Sequence, residues 1–293
     1  MHARHTARRW YADGLVLQAR DYPPCSAAER TPVVCLHGLT RNAADFEQLA
    51  QRLAARGHRV IVPDIRGRGR SARDPQPMRY LPATYAADVA GLLDALGIAR
   101  AVFIGTSMGG IVTLELMMHR PALIAAAVLN DVGPEVSPVG LARIAAYAGQ
   151  PVVIDSWADA RDYVRRINQA AFPQFGEAQW EAFARRTFRE DASGKPQLDY
   201  DPAIAEPIKA GLLKADPERA WHLFGRLCRE RPVLLLRGTL SDIVSADIAA
   251  RMQAYAPTLR RAEIPDVGHA PLLDEPAACV AIDDFLEHVE HDA

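Results

Sequence analysis

Two kinds of apolar pattern alternate along the chain. The runs "PVVCLHG", "HRVIVPD", "AVFIGTS", "IAAAVLNDVGP", "PVLLLRG" and "RAEIP" are short, rich in β-branched residues and bounded by Gly, Pro, Asp or Asn. That combination predicts strands. Between them, apolar positions return every three or four residues over 44–56, 84–96, 108 to about 119, about 247–255 and about 276–288, which predicts helices. Ahead of them all, "RWYADGLVLQARDY" reads as a hairpin turning at Asp13-Gly14, a pair that accepts the positive φ of a tight turn. Strands apolar along their whole length are buried on both faces, and helices between them supply the cover. The pattern therefore predicts an α/β fold: a mostly parallel central sheet flanked by helices.

The rhythm fails between 135 and 231. This interval is helical in spacing, holds no convincing strand, and carries Trp157, Tyr163, Phe172, Phe175, Trp180, Phe183, Phe188, Trp221 and Phe224. It reads as a helical cap, residues 135–231, inserted after the sixth strand, with residues 1–134 and 232–293 forming the core. Its aromatics first of all build the cap's own interior, and some are placed to roof an apolar pocket. Its arginines Arg161, Arg165, Arg166, Arg185, Arg186 and Arg189 read as a solvated face before they read as a receptor for an anionic substrate.

Composition narrows the partners. Of 293 residues, 49% are hydrophobic, enough for a large core, and 34 Lys+Arg against 36 Asp+Glu leave no basic field for nucleic acid. Cys25, Cys35, Cys228 and Cys279 are scattered with no metal-ligand spacing, so no metal or organic cofactor is expected. The opening "MHARHTARRWYADG" lacks the apolar stretch of a secretion signal, and no run of about eighteen apolar residues follows. The expectation is a cytoplasmic protein with no membrane partner; a homodimer stays open.

The candidate chemistry starts at "FIGTSMGGIV". Gly105-Thr106-Ser107-Met108-Gly109 is G-x-S-x-G with a strand before it and a helix after, the setting of a nucleophile elbow. Glycines flank the serine because backbone packs on backbone there. The turn lifts the hydroxyl to the carboxyl end of the sheet, where open α/β sheets bind ligands. An ordinary N-cap serine would not need a glycine on both sides.

In order along the chain, "LHG", "PDIRGRGRS", "GTSMGG", "RGTLSD" and "VGHAP" resemble the α/β-hydrolase superfamily, nearly everywhere outside the interval 135–231. The resemblance implies a cap-bearing hydrolase with a serine nucleophile and the order Ser…Asp…His. His119 shares the serine's helix and cannot reach back, His222 falls in the cap, and His288 and His291 lie at the terminus. His269 in "DVGHAP" matches the superfamily's base. Many members carry the acid three residues past the glycine that ends "PVLLLRG". Here that position is Ser241, and the carboxylate comes one residue later. A different turn absorbs such an offset, so Asp242 is the expected acid. Some members place it after the sixth strand instead, which makes Asp131 in "LNDVGP" the alternative, ahead of Glu135. Otherwise Asp131 would cap or tie down the chain near Pro134.

The resemblance further implies an anion site made by the N–H groups of Met108 and Leu39, with His37 bracing the loop rather than acting as a second base. Because the donors are main-chain, Gly38 is expected to be more sensitive to mutation than Leu39. Gly67-Arg68-Gly69 has the G-x-G of a dinucleotide loop but no third glycine and no helix start, so Asp64 and Arg66 are expected in structural polar contacts. A serine nucleophile separates the chain from haloalkane dehalogenases and epoxide hydrolases, which attack through an aspartate. The expected reaction is hydrolysis of small or medium carboxylic esters or lactones through an acyl-enzyme. One alternative is C–C bond hydrolysis of ring-cleavage products; those enzymes commonly carry a tryptophan after the histidine, where this chain has Ala270 and Pro271. The other is a non-hydrolytic binding protein on the same scaffold.

Overall fold

A computed structural model describes residues 5–26, 30–212 and 216–291. The chain begins with β1 (Thr6–Ala12) and β2 (Leu15–Tyr22), joined by a two-residue turn in which Asp13 and Gly14 both have positive φ. Then come β3 (Arg30–Leu36), α1 (Glu47–Ala55), β4 (His58–Asp64), α2 (Pro82–Ala95), β5 (Ala101–Thr106), α3 (Met108–His119) and β6 (Ile124–Asn130). An insert follows, with α4 (Pro138–Tyr147), α5 (Trp157–Asn168), α6 (Glu177–Thr187), β7 (Phe188–Glu190), β8 (Pro196–Leu198) and the short α7 (Glu206–Lys209). The chain closes with α8 (Pro217–Glu230), β9 (Val233–Gly238), α9 (Ala246–Tyr255), β10 (Arg260–Ile264) and α10 (Pro276–His291).

One sheet in the order β1-β2-β4-β3-β5-β6-β9-β10 organises the molecule. β2 runs antiparallel to both of its neighbours, β1 and β4, and the remaining pairs are parallel. Neighbouring side chains of each central strand enter opposite layers. Val34, Leu36 and Phe103 pack with α2, α3, α8 and α9, while Val33, Cys35, Val102 and Ile104 pack with α1 and α10. This double burial is why the strands read as unbroken apolar runs. From β3 the chain moves to β4 on one side, then crosses back to β5 on the other. The crevice opened by that reversal, at the carboxyl ends of β3 and β5, is where the loop after β3 meets the start of α3.

Two features of the insert depart from the expectation. It contains a two-stranded antiparallel sheet, β7 with β8, whose three-residue strands are too short to show as an apolar pattern. Helix α8 packs on the core: Phe224, Leu227 and Cys228 belong to the same buried layer as α3. The stretch expected as cap up to residue 231 therefore takes in a helix of the core layer. Among the described residues no helix is long and apolar enough to cross a membrane.

Candidate active site

The turn between β5 and α3 is fixed by two close approaches. A Cβ on Gly105 would stand 2.5 Å from the Gly109 carbonyl carbon and the Gly110 nitrogen, and one on Gly109 would run into the Leu36 carbonyl. Ser107 itself sits at φ 52°, a conformation L-residues seldom adopt. Its N–H donates to the Asn130 carbonyl at 3.1 Å and its carbonyl accepts from Gly110 N–H at 2.9 Å. Met108 opens α3, so its N–H is one of those the helix cannot pair, at the positive end of the helix dipole.

His269 reaches this serine from the loop after β10. Its Nε2 lies 2.9 Å from Ser107 Oγ, its Nδ1 lies 2.8 Å from Asp131 Oδ2, and its side chain is 8% exposed. A carboxylate accepts, so Nδ1 carries the ring proton and Nε2 offers its lone pair to the serine hydroxyl. Asp131 is wholly buried just past β6, at φ 55°. Gly238 N–H donates to its Oδ1 at 3.2 Å and Ser241 Oγ–H to its Oδ2 at 2.6 Å. The Ser241 oxygen in turn accepts from the N–H groups of Ile243 and Val244, so its only proton is committed to Asp131.

The expectation for Asp242 is corrected here. Its carboxylate pairs with Arg143 of α4 at 2.5 and 2.8 Å, and that guanidinium holds it below the ordinary carboxylate range. The one-residue offset was not absorbed by the turn. The residue three past Gly238, Ser241, is the one that points inward, and it meets the carboxylate that came from the neighbouring strand. The alternative, Asp131, is the one beside the histidine. Two further residues belong to this frame. Ser241 is one: in the sequence it marks only an offset in the acid's position, yet its occupancy of that position is a legible sign that the acid lies elsewhere. Asn130 is the other: its amide donates to Thr106 Oγ1 at 2.9 Å and to the Pro271 carbonyl at 2.8 Å, clamping the histidine loop to the strand ends.

The loop after β3 is braced from one side by His37. This fully buried ring accepts from Ile65 N–H at Nε2 (3.1 Å) and donates from Nδ1 to the Gly38 carbonyl (2.8 Å). Burial lowers its pKa to about 4, so the ring is neutral. The Arg41 N–H also donates to the Gly38 carbonyl, at 3.2 Å. Because the peptide is planar and trans, pinning that carbonyl aims the Leu39 N–H the opposite way. The expected sensitivity of Gly38 has no steric basis: a Cβ there would meet Arg41 Cγ at 3.5 Å, Ser107 Cβ at 3.8 Å and the Thr106 carbonyl oxygen at 4.0 Å, all ordinary contacts. Asp64 and Arg66 do make structural contacts. Asp64 accepts from Ala43 and Arg70 N–H groups, and Arg66 binds Asp88 and Asp74.

A cavity of about 100 Å³ opens over Ser107 and His269, between the core loops and the insert. Phe172, Phe183, Ile144, Ile167 and Leu198 give it apolar walls, and Tyr147, Tyr163 and Tyr200 bring phenols. Burial raises all three phenol pKa values, so they are neutral hydroxyls. The one arginine on the wall, Arg41, is neutralised by Asp45, to which it donates twice. The insert's aromatics divide. Phe172, Phe175, Trp180 and Phe183 stack on one another, Trp157 lies under Arg185, and Trp221 and Phe224 pack with Tyr255 on α9. None of the insert's six arginines noted above lines the cavity; Arg161, Arg165 and Arg185 pair with neighbouring carboxylates. Among the described residues no cluster of three metal-binding side chains occurs.

Comparison with known proteins identifies the family and the fold. A family model described as alpha/beta hydrolase fold matches residues 31–276. The chain is 32% identical to the 3-hydroxybutyrate-oligomer hydrolase of Cupriavidus necator, over 87% of each protein. It is 28% identical to the 2-(acetamidomethylene)succinate hydrolase of Mesorhizobium japonicum, over 80% of this chain and 79% of that protein. The crystal structure of an alpha/beta hydrolase from Novosphingobium aromaticivorans superposes with a TM-score of 0.90 at 45% identity, covering 98% of this chain and 99% of that one.

Proposed function

Because this chain belongs to the alpha/beta hydrolase fold family and is a hydrolase, we propose that Ser107, His269 and Asp131 form its catalytic triad and that it cleaves small carboxylic esters through an acyl-enzyme. The observation that carries the reading is the unbroken relay from Ser107 Oγ to His269 Nε2 at 2.9 Å and from His269 Nδ1 to Asp131 at 2.8 Å. Ser107 Oγ attacks the ester carbonyl as Nε2 takes its proton. Asp131 stabilises the imidazolium, and the same proton then leaves with the alcohol. Water, deprotonated by His269, releases the acid. The N–H groups of Leu39 and Met108 receive the oxyanion, a contribution of about 3–4 kcal/mol per donor in comparable sites.

The helices and small sheet from residue 135 to about residue 212 act as the cap. They bring Ile144, Tyr147, Tyr163, Phe172 and Phe183 over the serine. Apolar walls, neutral phenols and a wall arginine already paired with Asp45 suit an uncharged short acyl group, with phenols left to bond a second oxygen. Oligomeric esters of short hydroxy acids have that chemistry, as the name of the Cupriavidus relative suggests.

A panel of p-nitrophenyl esters graded by acyl length, with lactones, hydroxybutyrate oligomers and a vinylogous diketone acid, tests the proposal against Ser107→Ala. Turnover of short esters that vanishes in the variant is expected. Equal turnover by both proteins refutes the serine mechanism. Cleavage of the diketone acid alone would transfer the chain to C–C bond hydrolysis. No turnover of anything, with tight ligand binding, would make it a receptor.

A further inference from the structure

Two buried arginines in the loop after β4 are balanced in opposite ways. Arg66 is surrounded by carboxylates: Asp88 at 2.5 and 2.6 Å, Asp74 at 2.6 Å and Asp13 at 3.0 Å. Arg68, 1% exposed, has no carboxylate within ion-pair distance among the described residues. Its guanidinium is held by neutral groups. Nε–H donates to the Leu39 carbonyl at 2.9 Å, and Nη1 donates to the Arg66 carbonyl at 2.8 Å and to Tyr85 Oη at 3.0 Å. Nη2 lies 3.6 Å from Met108 Sδ, and the rings of Tyr85 and Tyr80 stand 4.9 and 5.7 Å from Cζ.

A cation buried without a counter-charge is costly, and the two residues it touches on the site's side are Leu39 and Met108. Their N–H groups are the oxyanion donors of the proposed reaction. We propose that Arg68 is the positioning residue of the oxyanion site, an inference that rests on the acyl-transfer reading. It pins the carbonyl on the far side of Leu39, while His37 and Arg41 N–H pin the carbonyl on the near side, so residue 39 is held at both of its peptides. Its positive field has no carboxylate to meet it among the described residues and is met by the oxyanion in the tetrahedral intermediate, from a buried position where charge acts strongly. The insert docks on the same residues. Asp201 N–H donates to the Gly67 carbonyl at 2.7 Å and Gly69 N–H to the Asp199 carbonyl at 2.9 Å, so placing the insert also fixes the backbone that carries Arg68.

Arg68→Gln and Arg68→Lys test the assignment. Hydrolysis of p-nitrophenyl butyrate is measured per active site, counted by stoichiometric fluorophosphonate labelling, together with inhibition by butylboronic acid, which mimics the tetrahedral anion. Arg68→Gln is expected to lower kcat on the order of ten- to a hundredfold with KM nearly unchanged, and to weaken the boronate by a similar factor. Arg68→Lys, which keeps the charge, should recover most of both. A merely structural arginine would change melting temperature and labelled fraction but neither kcat per site nor boronate affinity, and that result overturns the proposal. If the Gln variant does not fold, Arg68→Met, which fills similar space without charge, takes its place: kcat per site and boronate affinity both lowered about tenfold or more support the assignment, and both unchanged overturn it. Ser107→Ala, assayed per mole of folded protein because it cannot take the label, separates the two readings. Turnover surviving in that variant ends the acyl-transfer mechanism itself, whereas an inactive Ser107→Ala beside an unimpaired Arg68→Gln ends only the role of Arg68.

Discussion

The identity of the orienting acid can be decided by one pair of substitutions, Asp131→Asn and Asp242→Asn. His269 Nδ1 stands 2.8 Å from Asp131 Oδ2, which puts the charge centres of an imidazolium and this carboxylate about 4 Å apart. At an effective dielectric near 20, Coulomb's law gives about 4 kcal/mol of stabilisation as the proton moves onto the ring, roughly a thousandfold in rate. An amide removes that term and cannot satisfy its surroundings. Gly238 N–H faces one oxygen position, and Ser241 Oγ–H with His269 Nδ1–H faces the other, so either orientation sets a donor against a donor. The orientation with N–H toward His269 also forces the ring proton to Nε2, where it blocks acceptance from Ser107, and carries the loss toward about 10⁴. Asp242 offers a different sum. Its pair with Arg143 is partly exposed, 33% and 27% for the two side chains, and contributes at most about 1 kcal/mol to stability. Steady-state hydrolysis of p-nitrophenyl butyrate, normalised to fluorophosphonate-labelled sites, should show kcat lowered about 10³- to 10⁴-fold in Asp131→Asn and within about threefold of wild type in Asp242→Asn. The reverse ranking, or both variants within tenfold of wild type, would refute the triad as drawn.

Other variants probe the frame around it. Gly105→Ala should lower the unfolding free energy by about 2 kcal/mol or more, read from urea denaturation, because the new methyl meets two backbone atoms at 2.5 Å; an unchanged midpoint would show that the elbow relaxes freely. Gly38→Ala should keep wild-type stability and kcat within about twofold, its methyl meeting only ordinary contacts, and a large loss would mean that backbone freedom at this loop matters beyond space. Ser241→Ala should lower kcat about tenfold at constant KM by removing the hydroxyl that shares Asp131 Oδ2; full activity would show that the hydroxyl is dispensable. His37 supplies a pH test. Unfolded, it binds a proton near its usual pKa of about 6.5, whereas burial holds the folded value to about 4. Between those values the unfolded chain holds the extra proton, so its contribution is full above about pH 6.5 and is lost as pH falls toward 4, by about 2–3 kcal/mol. The difference in unfolding free energy between wild type and His37→Gln, measured at about pH 7 and about pH 4.5, should shrink by that amount; a difference independent of pH would refute a neutral buried ring.

What separates the legible parts of this site from the illegible one is the range over which each constraint acts. Ser107 is visible because its constraint lies within five residues: glycines at 105 and 109, a strand before and a helix after, each demanded by contacts the backbone makes with itself. The sheet is visible for a similar reason, since burial on both faces writes unbroken apolar runs into β3, β5 and β6, at residues 33–36, 101–104 and 124–129. The acid obeys no local rule. The ends of β6 and β9 are neighbours in the sheet, with Asn130 paired to Leu236, so a carboxylate from either strand arrives at nearly the same point beneath the histidine. Only the pair of strand ends taken together distinguishes them. Where one end offers a hydroxyl at the inward position, as Ser241 does, the other must bring the charge, and an aspartate is among the few non-glycine residues that readily hold the left-handed turn found at Asp131. The short β7–β8 ribbon and the docking of α8 were hidden likewise, because each depends on what it packs against rather than on its own pattern. Reading strand ends in pairs, across the register of a parallel sheet, converts the choice between Asp242 and Asp131 from a matter of counting residues in one loop into a matter of which neighbour leaves the inward position uncharged.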